Sequence, residues 1–148
     1  MKKPSALYGS DNQRNLRLIV GLYRTYSRIH RNTQKLLTGY DLTVAQFGVL
    51  EALYHLGPMK IGDIIDRTLS TSGNMTVVIK NLEKEGYITR LTDPNDRRAY
   101  VVSLTTKGEN RLTAIFPSHL HDLDASLANL TNDDKDRLIK LFKKLNGV

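Results

Sequence analysis

The 148-residue sequence contains no cysteine and no long apolar run. The lack of cysteine excludes disulfides, thiolate metal sites, iron–sulfur clusters and cysteine-based redox sensing. No segment approaches the ~20 apolar residues that span a bilayer. The first residues, MKKPS, are followed by no apolar segment of the kind that signal peptides carry. We therefore expect a cytoplasmic protein with no membrane partner.

Acidic residues are fewer than basic ones, with 15 Asp and Glu against 22 Lys and Arg, which gives a net charge of +7. The surplus is concentrated in residues 1–40, which carry eight basic side chains and one acidic one. A basic chain of one-domain length favours a polyanionic partner, with nucleic acid first and an anionic membrane surface second. The remaining composition, 40% hydrophobic and 25% charged, is that of an ordinary globular domain.

The motifs of common enzymes are missing as well. The sequence has no glycine-rich phosphate loop, no nucleophile elbow and no H-E-x-x-H. Its densest group of metal-ligating residue types is HLHDLD at 119–124, but neighbours at i and i+2 do not share a helix face. We expect neither catalysis nor a cofactor nor a metal site.

Apolar residues recur at three- and four-residue steps from Asp11 to Leu37, which predicts one long helix that Gly39 ends. Pro4 and Gly9 favour an extended arm over residues 1–10. The helix is longer than a small core needs, so we expect part of it to pack against a partner chain.

Three shorter helices are predicted next. The T-x-x-Q pattern at 43–46 is a capping box for the second helix, which ends at Gly57-Pro58. A third helix covers 61–68, and the fourth has its apolar stripe at Met75, Val78, Ile79 and Leu82 and closes at Gly86. Two short helices joined by a compact turn form a helix-turn-helix.

A β-hairpin and two helices complete the chain. Residues 87–91 and 99–104 are rich in β-branched and aromatic side chains and flank a long, turn-rich loop at 92–98. Thr105 or Thr106, the latter with Glu109 three residues on, caps a fifth helix that Pro117 should kink or split. TNDD at 131–134 caps a final amphipathic helix whose last turn is basic.

This order of elements is that of a mainly α protein with a small β-hairpin wing. It predicts a winged helix-turn-helix with helical extensions. We divide it into an N-terminal arm and dimerisation helix (1–40), a DNA-binding lobe (41–104) and C-terminal dimerisation helices (105–148).

The fourth helix has a face suited to DNA, because its side opposite the apolar stripe is small, amide-bearing and cationic. Asn can pair with adenine, Lys with guanine or phosphate, and a Val or Thr methyl with the thymine methyl. A glycine near the helix start allows close approach to the duplex. The predicted DNA-binding residues here are Ser70, Thr71, Ser72, Gly73, Asn74, Thr76, Val77, Lys80, Asn81 and Lys84.

The tip of the hairpin is the second pointer to DNA. Arg97 and Arg98 follow two aspartates there, and an arginine on such a projection can enter a narrow minor groove.

Three motifs in register resemble those of MarR-family transcription regulators. They are LTVAQFGVL at 42–50, LEKEGYITR at 82–90, and DPNDRR at 93–98 followed by LTTKG at 104–108. The resemblance spans residues 11–146. It implies a homodimer joined by its terminal helices that binds a pseudo-palindromic operator, usually as a repressor released by a ligand.

The same resemblance assigns roles within the wing. Arg98 fills the arginine of the family's D-x-R, with Arg97 beside it, and Asp96 fills the acid that shapes the wing together with Asp93. Several family members carry an acidic residue at the start of the recognition helix that orients the wing arginine. This sequence has STSG at 70–73 instead.

An effector of the family is often a small anionic or phenolic molecule, and Tyr26, His30 and Tyr54 are candidates to line its pocket. Two alternatives stay open at this point: a winged helix that contacts only proteins, and a metal-responsive member of the same family. Binding to DNA should weaken steeply with salt, whereas protein-only binding should not.

Overall fold

The computed structural model describes residues 5–68, 72–94 and 96–148. Within these ranges the chain forms six helices and three strands. The helices are α1 (Ser5–Thr38), α2 (Val44–Leu56), α3 (Ile61–Thr68), α4 (Ser72–Lys84), α5 (Thr106–Ser126) and α6 (Asn132–Asn146). The strands are β1 (Met59–Lys60), β2 (Ile88–Asp93) and β3 (Asp96–Leu104). None of the described helices is both long and apolar enough to cross a bilayer.

The strands form one antiparallel sheet in the order β1-β3-β2. The short strand β1 was not predicted from the sequence, because two residues are too few to show an alternating pattern of apolar and polar side chains. It pairs with Val101 and Val102 of β3. The sheet and α2–α5 enclose one apolar core, which Leu37 of α1 also enters. Its fully buried members include Leu50, Ile64, Met75 and Leu112. The predicted mainly α fold with a small wing is confirmed.

The predicted extended arm over residues 1–10 is wrong for its described part, because α1 begins at Ser5. Gly9, at φ 75° and ψ 164°, is not helical, so two helical segments of α1 meet at a kink there. The preference of Gly9 against helix is therefore seen as a kink in α1 and not as an extended arm.

The ends of α2, α4 and α6 form as their sequences predict. Both Thr43 with Gln46 and Thr131 with Asp134 make complete capping boxes. At the end of α4, the N–H of Gly86 bonds to Glu83 O and that of Tyr87 to Leu82 O, which is a Schellman motif. Gly86 has φ +76°, a conformation that favours glycine.

The start of α5 distinguishes between its two predicted caps. Thr105 is the N-cap, so the T-x-x-E pattern from Thr106 to Glu109 is not the one used. The Thr105 hydroxyl accepts the N–H of Gly108 at 3.0 Å and donates to Gly86 O at 2.7 Å. α5 is also one helix through Pro117 rather than two. The proline lies on the exposed side, where water can satisfy the carbonyl it leaves free, and neighbouring Ile115 is anchored in the core.

The loop predicted over 92–98 is mostly strand. β2 continues to Asp93 and β3 begins at Asp96, and these two residues oppose each other. The preceding pair is Thr92 with Tyr100, so residues 97–99 form a bulge that no residue of β2 opposes. Arg98 therefore lies on a bulge of β3 beside the turn, not in an open loop. Bulges of this kind redirect side chains and are enriched at functional sites.

Candidate nucleic-acid interface

Helix α4 has one buried and one exposed side, as its periodicity predicts. Met75, Val78, Ile79 and Leu82 are buried against α2 and the rest of the core. The opposite side is exposed at Gly73, Asn74, Thr76, Val77, Lys80, Asn81 and Lys84. Of the other residues predicted on this face, Ser70 and Thr71 lie outside the described residues, and so does the side chain of Ser72.

The exposed side of α4 consists of two adjacent stripes. Gly73, Thr76, Lys80 and Lys84 follow one another at three- and four-residue steps and form the more cationic stripe. Asn74, Val77 and Asn81 form the second stripe, which borders a cleft toward α1 and α2. Amide and methyl groups thus lie beside cations on the exposed side of one helix. This combination of groups can contact both base edges and phosphates.

The acidic side chain within α4 is neutralised by the wing. Glu83 Oε2 lies 3.2 Å from Nη2 of Arg90 on β2. The guanidinium of Arg90 also lies 4.9 Å from the ring centroid of Tyr100 on β3. This cluster connects the helix to both long strands of the wing and lowers the negative potential that Glu83 would otherwise add to the cationic face.

The wing is shaped by two aspartates with different roles. The Asp96 carboxylate accepts the backbone N–H of Arg98 at 3.0 Å, which supports the bulge from within. Asp93 is buried, and its Oδ2 lies 2.8 Å from Nζ of Lys60 on β1. A hydrogen bond and the charge of Asp93 raise the pKa of Lys60 above its ordinary value. Arg98 is exposed; the side chain of Arg97 lies outside those described.

A cleft of about 1050 Å³ is lined by residues of α1, of α2 and of the Asn74–Asn81 side of α4. Tyr26 and His30 on α1 line it as a stacked pair, with ring centroids 5.5 Å apart and planes 27° apart. Arg67 of α3 lines it as well. The structure therefore brings two of the three predicted effector residues together. Tyr54 is not among the lining residues; it is half exposed and makes an edge contact with His55.

His119 of α5 lies among aromatic rings. His119 is buried, with its ring 4.8 Å from that of Phe47 in an edge-on contact. Among the described residues, no three His, Asp or Glu side chains converge in a way that could hold a metal ion.

Two apolar helix faces have no cover within the described chain. On α1, Leu16, Ile19 and Tyr23 are exposed, the last at 72%. No residue of α6 is buried, and its Ile139 and Leu141 are exposed at 52% and 60%. Exposed apolar area on this scale is typical of a surface that packs against another molecule.

Three features of this region had no local signal in the sequence. Lys60 contacts Asp93 across the sheet, and Arg90 contacts Glu83 between strand and helix. Arg67 enters the cleft from α3. Each depends on residues that only the tertiary fold brings together.

The fold and its exposed helix and wing define the class: this is a winged helix-turn-helix protein. The MarR family model matches residues 42–100. The HTH-type transcriptional regulator YkoM of Bacillus subtilis is 36% identical over 141 residues, covering 91% of this chain and 90% of the relative. The chain belongs to the MarR family.

Solved structures agree with this assignment. A mutant of MarR from E. coli, complexed with operator DNA, superimposes with a TM-score of 0.80 at 25% identity, covering 89% of this chain and 95% of that one. Bordetella bronchiseptica BpsR, whose DNA binding is regulated by 6-hydroxynicotinic acid, gives a TM-score of 0.80 at 25% identity, with 88% and 98% covered.

Proposed function

We propose that this protein is a cytoplasmic transcriptional regulator, most simply a repressor, that binds a pseudo-palindromic DNA operator as a homodimer. Residues 41–104 form the DNA-binding lobe, and residues 1–40 and 105–148 join the two copies. In each lobe α4 enters the major groove and Arg98 the adjacent minor groove. The observation that carries the proposal is the exposed, amide-bearing and cationic side of α4, directly opposite its buried stripe.

The charge of this surface supports DNA over a protein partner. Lys80 and Lys84 form no ion pair with any described residue, so both are available to phosphates. The one carboxylate that α4 contributes along its length, that of Glu83, is held by Arg90. A surface arranged in this way attracts a polyanion strongly and in a salt-dependent manner.

A homodimer is supported by the uncovered apolar faces of α1 and α6. A second copy supplies the same two faces in a self-complementary arrangement, as two-fold interfaces do. Two lobes bound to successive turns of one face of the duplex place their recognition helices about 34–36 Å apart.

Release by an effector is supported by the cleft beside α4. The Tyr26–His30 stack offers aromatic ring faces and Arg67 a cation, which together suit a small aromatic acid. Asn74, Val77 and Asn81 form the opposite wall. A molecule in the cleft therefore contacts the same helix that reads DNA, so occupancy of the cleft and binding of DNA oppose each other.

The test of DNA binding uses genomic fragments selected by the wild-type protein and labelled for fluorescence anisotropy. We expect affinity to fall by roughly 10³–10⁵ between 50 and 200 mM salt if six to ten phosphates are contacted. Asn74→Ala or Lys80→Ala should weaken binding by about 1–3 kcal/mol. Loss of a base contact should relax specificity, whereas loss of a phosphate contact should weaken all sequences evenly.

The matched control is Lys35→Ala, which removes an exposed cation from α1, a helix to which the proposal assigns no DNA contact. If Asn74→Ala, Val77→Ala and Lys80→Ala all behave like this control, the wrong face of α4 has been assigned. Binding that does not respond to salt would instead favour the protein-only interpretation.

A further inference from the structure

The bulge that carries Arg98 is anchored by a residue that lies outside the wing. Lys60 is the last residue of β1 and directly precedes α3 of the helix-turn-helix. Its Nζ reaches Asp93 Oδ2 at 2.8 Å. Because β1 and β2 lie on opposite sides of β3, this ion pair spans the central strand of the sheet.

Asp93 connects this ion pair to Arg98, because it lies at one end of the bulge that carries Arg98. Asp93 ends β2 and opposes Asp96 at one end of the bulge over residues 97–99. Its side chain is only 5% exposed, whereas that of Lys60 is 50% exposed. A buried carboxylate needs charged or hydrogen-bonding partners, and Lys60 supplies a charged one at the end of β2 where the bulge begins.

The surroundings of Lys60 favour its charged form. Besides Asp93, the carboxylates of Asp96 and Asp63 act on its ammonium, and together they raise its pKa above 10.5. The cation is therefore retained at every pH at which DNA binding is measured. The Lys60–Asp93 ion pair is therefore not a pH-dependent switch.

We propose that Lys60 is a positioning residue for DNA binding, which fixes Asp93 and so aims the bulge that presents Arg98 to the minor groove. This proposal rests on the proposed function. The residues just before α4 and at its start offer no carboxylate to orient the wing, since residues 69–72 read LSTS. Lys60 instead holds the wing in position from β1, at the opposite edge of the sheet from β2. It also ties the wing to the start of α3, so that wing and α4 meet one duplex in a fixed relation.

The decisive variant is the double substitution Lys60→Met with Asp93→Asn. It leaves the net charge unchanged and removes both charges of the Lys60–Asp93 pair together, so long-range electrostatics does not account for its effect. We expect binding about tenfold weaker than wild type, the loss typical of one arginine contact. Hydroxyl-radical footprinting should show that protection in the flanking minor grooves is lost while protection under α4 remains.

Single variants distinguish a positioning role from a purely electrostatic effect. Asp93→Asn removes a negative charge beside a polyanion, so electrostatics alone predicts tighter binding, whereas a positioning role predicts weaker binding. Lys60→Arg should keep both affinity and minor-groove protection. Lys35→Met is the control for the loss of one cation, and thermal unfolding followed by circular dichroism verifies the fold of each variant.

The proposal is overturned if the double variant keeps wild-type affinity with intact minor-groove protection, or if Asp93→Asn binds as tightly as wild type or tighter. It is equally overturned if all protections fade together in a folded variant, since positioning acts on the wing alone. Failure of the wild-type protein to bind DNA at all would contradict the proposed function instead.

Discussion

Gly108→Ala tests the closest backbone approach in the molecule that a glycine permits. Gly108 is the third residue of α5, and a Cβ there would lie 2.0 Å from Tyr87 O and 3.0 Å from Leu104 Cδ2. Ordinary contact begins at 3.4 Å. The carbonyl cannot easily move away, because it accepts the N–H of Thr105 at 3.1 Å.

The expected cost follows from three contributions. Alanine in a helix is favoured over glycine by about 1 kcal/mol. Overpacking against backbone costs roughly 3 kcal/mol, at the upper end of the usual range because a carbonyl is stiffer than a side chain. A weakened Thr105–Tyr87 hydrogen bond adds about 0.5 kcal/mol. The net loss of about 2.5 kcal/mol should lower the melting temperature by roughly 5–10 °C.

The assay is thermal unfolding by circular dichroism at one fixed protein concentration, because the stability of the proposed homodimer would depend on concentration. The matched control is Gly62→Ala in the first turn of α3, where a Cβ meets nothing within 4 Å. This control should unfold at the wild-type temperature or slightly above it. A Gly108→Ala protein as stable as the control would refute the steric reasoning.

Three further outcomes are expected. Hydrogen bonds from Thr131 hold the pKa of Asp134 below its ordinary value of 3.8. The Thr131→Ala substitution should therefore raise the pKa of Asp134 toward that value, as measured by NMR titration of the carboxyl group. An unchanged titration would contradict the capping assignment. Since this folded-state pKa is lowered, the stability it contributes is present above pH ~3.8 and is lost as pH falls through the folded value. Deleting residues 131–148 should yield monomers in light scattering, and a stable dimer would show that α6 is dispensable. With benzoate as a probe aromatic acid that fits the proposed cleft, Tyr26→Ala should weaken the release of DNA by the acid, while Tyr54→Ala should not; equal responses would place the site elsewhere.

Helix boundaries were readable from the sequence wherever a local signal was complete. The capping boxes at Thr43 and Thr131 and the stop at Gly86 all formed where their motifs lie. Such motifs are satisfied within a few residues of chain, so no tertiary contact can easily displace them.

Boundaries that depended on distant partners were predicted less well. Thr105 rather than Thr106 caps α5 because its hydroxyl also bonds to Gly86, which α4 brings nearby. The hairpin extends closer to its tip than its turn-rich composition indicated, because Asp96 and Arg98 N–H stabilise a bulge. Pro117 remains within a helix because its neighbours are held in the core.

The candidate interface divides in the same way. The α4 residues that face away from the core follow from a 3.6-residue period, so the exposed stripe from Gly73 to Lys84 was determined by the sequence itself. The side chains beside that stripe were not, since Tyr26 and Arg67 come from other helices and Lys60 reaches across a sheet.

What the sequence alone determined is therefore the order of the elements, the two sides of α4 and the family motifs, since each is a property of residues close together in the chain. Only the tertiary structure decided which charges meet, where the cleft lies and what holds the wing. Ion pairs such as Lys60–Asp93 join residues 33 positions apart, and no local pattern records a contact that folding creates between separate elements.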